Sequence, residues 1–174
     1  MTQGLAVAIF GSFMATNFVE ATTDVSRLDE AGWWAVTQTF EGEFQAFRFT
    51  DIEPINLEKL ADLGHDLSHN SIAVQNWTSS MSKSKYVGAV ESVRQDIAQG
   101  WVYQVNACHV LSIQDSSHDL RGLFSQVLLH NPAPWASYLE IPGVNIASAS
   151  PELFFSRKGS LVKTSPIKGT QRLD

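Results

Sequence analysis

The sequence predicts an α+β fold in which antiparallel β-sheets are flanked by helices. Three observations predict it. Short apolar runs rich in β-branched and aromatic residues come in pairs around glycine-containing turns, both early and late in the chain. Between Ser79 and Gly100 the apolar residues recur at helical spacing. A second helical stretch runs from about Asp119 to His130.

In chain order, Leu5–Phe10 reads as a buried strand; without a basic segment before it, Gly4–Phe10 does not fit a signal peptide. Asn17–Ala21 continues the sheet after a loop, and Asp24 caps a short helical turn through Glu30. Trp33–Phe40 and Glu43–Phe49 form a hairpin around Glu41-Gly42. Phe44 and Ala46 alternate with Phe47 and Phe49, so both faces of that hairpin are partly apolar and each needs a cover. Leu57, Leu60, Ala61 and Leu63 allow a short helix. His65 and His69 follow at a spacing of four, but Gly64 and Ser68 to Ser71 favour a loop, and two ligands do not close a metal site.

Tyr86, Val90, Val93 and Ile97 fall on one face of a helix that Gly100 stops. Val102–Ile113 reads as a long strand, with Cys108 in its core and Gln104 and Asn106 on one face. The second helix turns Leu120, Leu123, Phe124, Val127 and Leu128 inward and ends at Asn131-Pro132. Trp135–Ile141 and Val144–Ser150 form a hairpin around Pro142-Gly143, and Leu153–Arg157 with Ser160–Thr164 form another around Lys158-Gly159.

Composition narrows the classes of function. Of 174 residues, 44% are hydrophobic and 10% aromatic, which supplies a core and excludes intrinsic disorder. Residues 157–174 set five cationic side chains against Asp174 alone, a balance of +4, so the total of −6 leaves −10 on the first 156 residues. An acidic body argues against nucleic-acid binding, while a basic last segment suits a small anionic ligand. Cys108 is the one cysteine, which excludes an internal disulfide and fits a reducing, cytoplasmic compartment. No apolar run is long enough to span a membrane.

Three places join polar groups to a constrained backbone: Tyr103 to Asn106, Ser150-Pro151-Glu152, and the closing stretch Thr164 to Arg172. In the first, backbone or cross-strand hydrogen bonding is the competing reading of Gln104 and Asn106. Pro151 and Pro166 fix φ, and Gly169 lets the backbone approach a ligand closely. Glu152 ends one strand and Lys168 lies just past the end of another, and in consecutive hairpins such ends can meet on one rim. A desolvated lysine amine is a nucleophile, and a nearby carboxyl group can protonate a leaving hydroxyl. A structural Glu–Lys ion pair is the competing reading. Lys168-Gly169-Thr170 is no phosphate-binding P-loop, because Thr164 stands where that motif has its first glycine.

Four segments in order carry a family resemblance: Gly100 to Asn106, Asn131-Pro132-Ala133-Pro134-Trp135, Ala149-Ser150-Pro151-Glu152, and Pro166-Ile167-Lys168-Gly169-Thr170. The set resembles the chorismate-utilising enzymes, and within them component I of the aminodeoxychorismate synthases. It is firm from about Ser80 onward and looser before. The resemblance implies the front half of that family's fold, with chorismate as substrate and Mg2+ as cofactor. It implies a glutamine amidotransferase, as subunit or domain, supplying ammonia, and 4-amino-4-deoxychorismate as product, on the way to p-aminobenzoate and folate.

The resemblance also implies roles for residues. Lys168 would attack C2 of the ring as the C4 hydroxyl leaves, ammonia would enter at C4, and the lysine would be expelled. Glu152 would act as the general acid for that hydroxyl, and Gly169 and Thr170 would contact the substrate. Anthranilate synthase component I, the nearest alternative, carries alanine at the position of Lys168. Residues 131–135 match a segment that lines a tryptophan pocket in some relatives and is structural in others. The family's Mg2+-binding glutamates and its further substrate-binding motifs would follow Lys168, and none stands before Asp174. Residues 1–174 are therefore expected to be an incomplete chorismate-binding domain, inactive alone, with an N-terminal sheet region at 1–78 and the start of the core at 79–174. The alternative of another class is a non-catalytic binding module that keeps part of the fold.

Overall fold

A computed structural model describes residues 6–55, 77–114 and 120–167. The described elements are β1 (Val7–Phe10), β2 (Phe13–Thr22), β3 (Trp33–Gln38), β4 (Phe44–Pro54), β5 (Thr78–Ser79), α1 (Lys83–Ala98), β6 (Leu111–Ser112), α2 (Leu120–His130), β7 (Ser137–Ile141), β8 (Val144–Ser148), β9 (Leu153–Lys158) and β10 (Leu161–Ser165). The fold is α+β with antiparallel sheets, as the hairpin and helix patterns predict. The chain divides into two compact units, Met1–Ser68 with Asp119–Asp174, and His69–His118.

The first unit is built on a six-stranded antiparallel sheet in the order β3-β4-β2-β1-β7-β8. Its centre joins distant parts of the chain: β1 pairs with β2 on one side and with β7 on the other, Val7 opposite Glu140 and Phe10 opposite Ser137. Side chains alternate across the sheet, as the period of two requires. Val7 and Ile9 pack with Phe124, Leu128 and Tyr138, whereas Ala8 packs with Phe47, Phe49 and Leu139. Both faces of the sheet thus carry buried apolar residues, and of residues 44–49 Phe47 and Phe49 pack on the second of them.

β2 is longer than the expected Asn17–Ala21 because it bends without breaking. The register against β4 shifts between Phe18 and Glu20, and Asn17 takes φ +58. Asparagine tolerates that left-handed conformation, and here its Nδ2 donates to Thr50 Oγ1 at 2.6 Å. Asp24 caps a 3-10 turn at Val25–Asp29, its Oδ1 accepting from the Ser26 amide at 3.0 Å. Arg27 follows and pairs with Glu20 at 3.0 Å and Glu30 at 2.5 Å.

α2 buries Phe124 and Leu128, with the Phe124 ring stacked on Tyr138 at 5.3 Å. Leu123 and Val127, expected to face inward, remain 37% exposed, so the buried stripe is narrower than the sequence suggests. At the helix start, Arg121 Nη2 lies 2.6 Å from Glu140 Oε2, which also accepts from Tyr138 Oη at 2.8 Å. This ties α2 to β7.

In the second unit Ser82 caps α1 through the Lys85 amide. Gly100 at φ +79 ends the helix, with the Gly100 amide donating to Ile97 O and the Trp101 amide to Asp96 O, a Schellman closure. No residue of α1 is buried among the described residues, and on the expected apolar face Tyr86 is 38% and Ile97 44% exposed. The expected strand Val102–Ile113 shrinks to β6, paired with β5. A β-prone run becomes a strand only where a neighbour completes its ladder, and among the described residues only Thr78 and Ser79 do so. Cys108 consequently lies exposed, not in a core. No described helix is long and apolar enough to cross a membrane.

Candidate active site

The site grows from the turn that joins β8 to β9. Ser150 shapes it: its Oγ donates to Glu152 O at 2.9 Å and accepts from the Glu152 amide at 3.3 Å. With φ of Pro151 fixed, the two bonds swing the chain out of β8 and set the Glu152 side chain at the foot of the next hairpin. The Trp135 amide donates to Ser150 O at 3.2 Å, so the turn is also fastened to the 131–135 segment, where Ala133 is buried.

Leu153, buried at 4% exposure, anchors the base of β9 opposite Ser165. The register shifts between Lys163 and Ser165, and Thr164 Oγ1 donates across the irregularity to Leu153 O at 3.3 Å. Pro166 follows. The strand ends thereby meet on one rim: Glu152 Oε1 accepts the backbone N–H of Ile167 at 3.0 Å. Ser150, Glu152, Leu153, Phe154, Thr164 and Pro166 line an open cleft of about 430 Å³.

Of the residues singled out from the sequence, Glu152 stands in this cleft, half-buried and oriented by Ile167. Lys168, Gly169 and Thr170 lie outside the described residues, as do His65 and His69. Gln104 and Asn106 belong to the second unit, where Gln104 Nε2 donates to Asn106 Oδ1 at 3.4 Å and both side chains are exposed. Sequence reasoning missed the Ile167 amide and the turn-forming role of Ser150. A serine directly before a proline at a strand end signals the latter, whereas a backbone donor leaves no mark in composition.

A carboxyl group held by a backbone donor at the wall of a cleft can exchange a proton with a ligand seated there. Among the described residues no three His, Cys, Asp or Glu side chains converge. The described residues therefore do not fit a Mg2+ site.

A model of the chorismate binding enzyme family matches residues 28–174. The chain belongs to this family. It is 32% identical over 136 residues to an anthranilate synthase component 1 of Haloarcula marismortui, covering 76% of this chain and 27% of that protein. It is 42% identical over 83 residues to aminodeoxychorismate synthase component 1 of Bacillus subtilis, covering 48% of this chain and 17% of that protein. A third relative, anthranilate synthase component 1 of Geobacillus stearothermophilus, is 34% identical over 98 residues, 55% of this chain and 18% of its own length. The chain thus spans about a quarter or less of these relatives. No solved structure matches it significantly.

Proposed function

We propose that this chain carries part of the active site of an aminodeoxychorismate synthase component I, which converts chorismate and ammonia to 4-amino-4-deoxychorismate. The observation that carries the reading is the hydrogen bond from the Ile167 amide to Glu152 Oε1. It ties the carboxyl group to Ile167, the residue directly before Lys168 in the sequence, which supports a shared role for the two segments. The 42% identity to the Bacillus subtilis relative supports the same choice.

In this reading the Lys168 amine forms a bond to C2 of the ring, the ring double bonds shift, and the C4–O bond breaks. Glu152 gives its proton to the departing hydroxyl, which leaves as water. Ammonia then bonds to C4, the double bonds shift back, and the bond from Lys168 to C2 breaks. The balance is chorismate plus ammonia to product plus water. Gly169 and Thr170 contact the substrate, Mg2+ is held by residues beyond those described, and an amidotransferase releases the ammonia from glutamine. A cytoplasmic place in p-aminobenzoate and folate synthesis belongs to the same reading.

Anthranilate synthase is the second reading, favoured by the longer alignment to the Haloarcula marismortui relative. Lysine at 168 disfavours it, since direct addition of ammonia at C2 needs no amine there. The two separate in a chain completed with the downstream part of the Bacillus subtilis relative and supplied with chorismate and ammonium. The expected product carries nitrogen at C4, and Lys168→Ala abolishes it or moves amination to C2. An unchanged yield of 4-amino product from Lys168→Ala overturns the nucleophile role; a C2 product from the unsubstituted chain establishes the anthranilate reading.

A further inference from the structure

We infer that Thr164 is a positioning residue for the Glu152 carboxyl group: its hydroxyl pins the irregular base of the β9–β10 hairpin and so sets where the Ile167 amide meets that group. The inference deepens the proposed function and rests on its reading of Glu152 as the proton donor.

Lys163 pairs with Ser156 and Ser165 with Leu153, so Thr164 alone stands opposite Phe154 and Phe155. A bulge of this kind disrupts the ladder locally and bends the strand that carries it. Backbone pairing alone therefore does not fix the angle at which the chain leaves the hairpin. A side chain supplies the constraint: Thr164 Oγ1 donates to Leu153 O at 3.3 Å. The two ends of this bond flank the two partners of the site's own hydrogen bond. Leu153 directly follows Glu152, and Thr164 stands three residues before Ile167. Pro166, with φ fixed, lies between Thr164 and Ile167 and leaves few torsions free to shift the Ile167 amide. On the other side, Leu153 is buried and Ser150 holds both the amide and the carbonyl of Glu152. That side is set without Thr164; the approach of Ile167 is what Thr164 adds.

Thr164 lines the same cleft as Glu152. A threonine hydroxyl has one proton, and that of Thr164 is spent on Leu153 O, so Thr164 acts through Glu152 and not as a second acid. The competing reading is a bond that only stabilises the hairpin.

Thr164→Val keeps the branched shape and the strand propensity but removes the hydroxyl, whereas Thr164→Ser keeps the hydroxyl. Both are compared in a chain completed with the downstream part of the Bacillus subtilis relative and supplied with chorismate and ammonium. Thr164→Val should lower kcat about 10–10²-fold with KM held within about twofold, and Thr164→Ser should restore kcat to within about threefold. With Glu152→Gln already in place, adding Thr164→Val should change kcat by less than about twofold, because the positioned acid is gone. In the 174-residue chain, the Ile167 amide should exchange at least about threefold faster in Thr164→Val, while the amides of β7 and β8 keep their rates. Unchanged kcat or unchanged Ile167 exchange in Thr164→Val overturns the inference. So does an equal loss of kcat with and without Glu152→Gln, which marks a structural role, or a raised KM at constant kcat, which marks a substrate contact. Full activity of Glu152→Gln instead overturns the proton-donor reading itself, and the Ile167 exchange still decides whether Thr164 sets that bond.

Discussion

The carboxyl group of Glu152 accepts the backbone N–H of Ile167 at 3.0 Å. One bond thus orients the candidate acid and fixes the entry to the lysine segment, and substitution can separate the two tasks. Glu152→Gln keeps an oxygen for the Ile167 amide but has no proton to give. In a completed enzyme it should lower kcat by about 10²–10⁴-fold while the melting temperature holds. Glu152→Ala should lose the tether as well, at a cost of about 0.5–1.5 kcal/mol by denaturant titration. Equal activity of Glu152→Gln and the unsubstituted enzyme would remove Glu152 from the proton transfer.

Phe49 is the largest fully buried side chain described, with Phe18 and Trp33 edge-on at 5.8 and 6.1 Å. Phe49→Ala leaves a cavity that three antiparallel strands cannot collapse into. It should destabilise the chain by about 3–5 kcal/mol, read from the shift of the urea midpoint.

Burial, then the hydrogen bond to Glu140, pushes the Tyr138 phenol well above its ordinary pKa of 10.0. A raised pKa favours the protonated form in the folded state. Its contribution is therefore complete below about pH 10, where the unfolded phenol is also protonated, and is lost as pH rises further. Tyr138→Phe should flatten the fall of stability between about pH 10 and 12, measured by denaturation at stepped pH.

At the acid end, the Ser26 hydroxyl and amide hold the Asp24 carboxyl below its usual range, and the Arg27 guanidinium does the same for Glu30. Depressed pKa values contribute stability above about pH 4 that fades as pH falls through the folded-state values. Asp24→Ala removes the cap of the 3-10 turn and should lower stability at pH 7, with the difference from the unsubstituted chain shrinking towards pH 2. A difference that stays constant across that range would assign the effect to packing.

The hairpins and helices were legible because their signals are local. Gly143 and Gly159 take φ +86 and +61 where Pro142-Gly143 and Lys158-Gly159 mark turns, and Ser82, Gly100 and Asp24 end elements by side chain or backbone freedom of their own. Residues 102–110 misled because their β propensity needs a neighbouring strand that no local pattern announces, and Cys108 followed them out of the core. Glu152 could be chosen from Ser150-Pro151-Glu152, but its donor could not: the Ile167 amide reaches it only through the irregular register of β10.

The pairing of β1 with β7 has a consequence for how the molecule comes together. Val7 and Glu140 face each other across a ladder whose closure must await β7, while β2, β3 and β4 find their partners early. During synthesis β1 can pair on its β2 side long before its other side is met. The four strands β1 to β4 are then a template that waits, and the rate at which residues 137–141 arrive sets how long its open edge stays at risk of sticking to other chains.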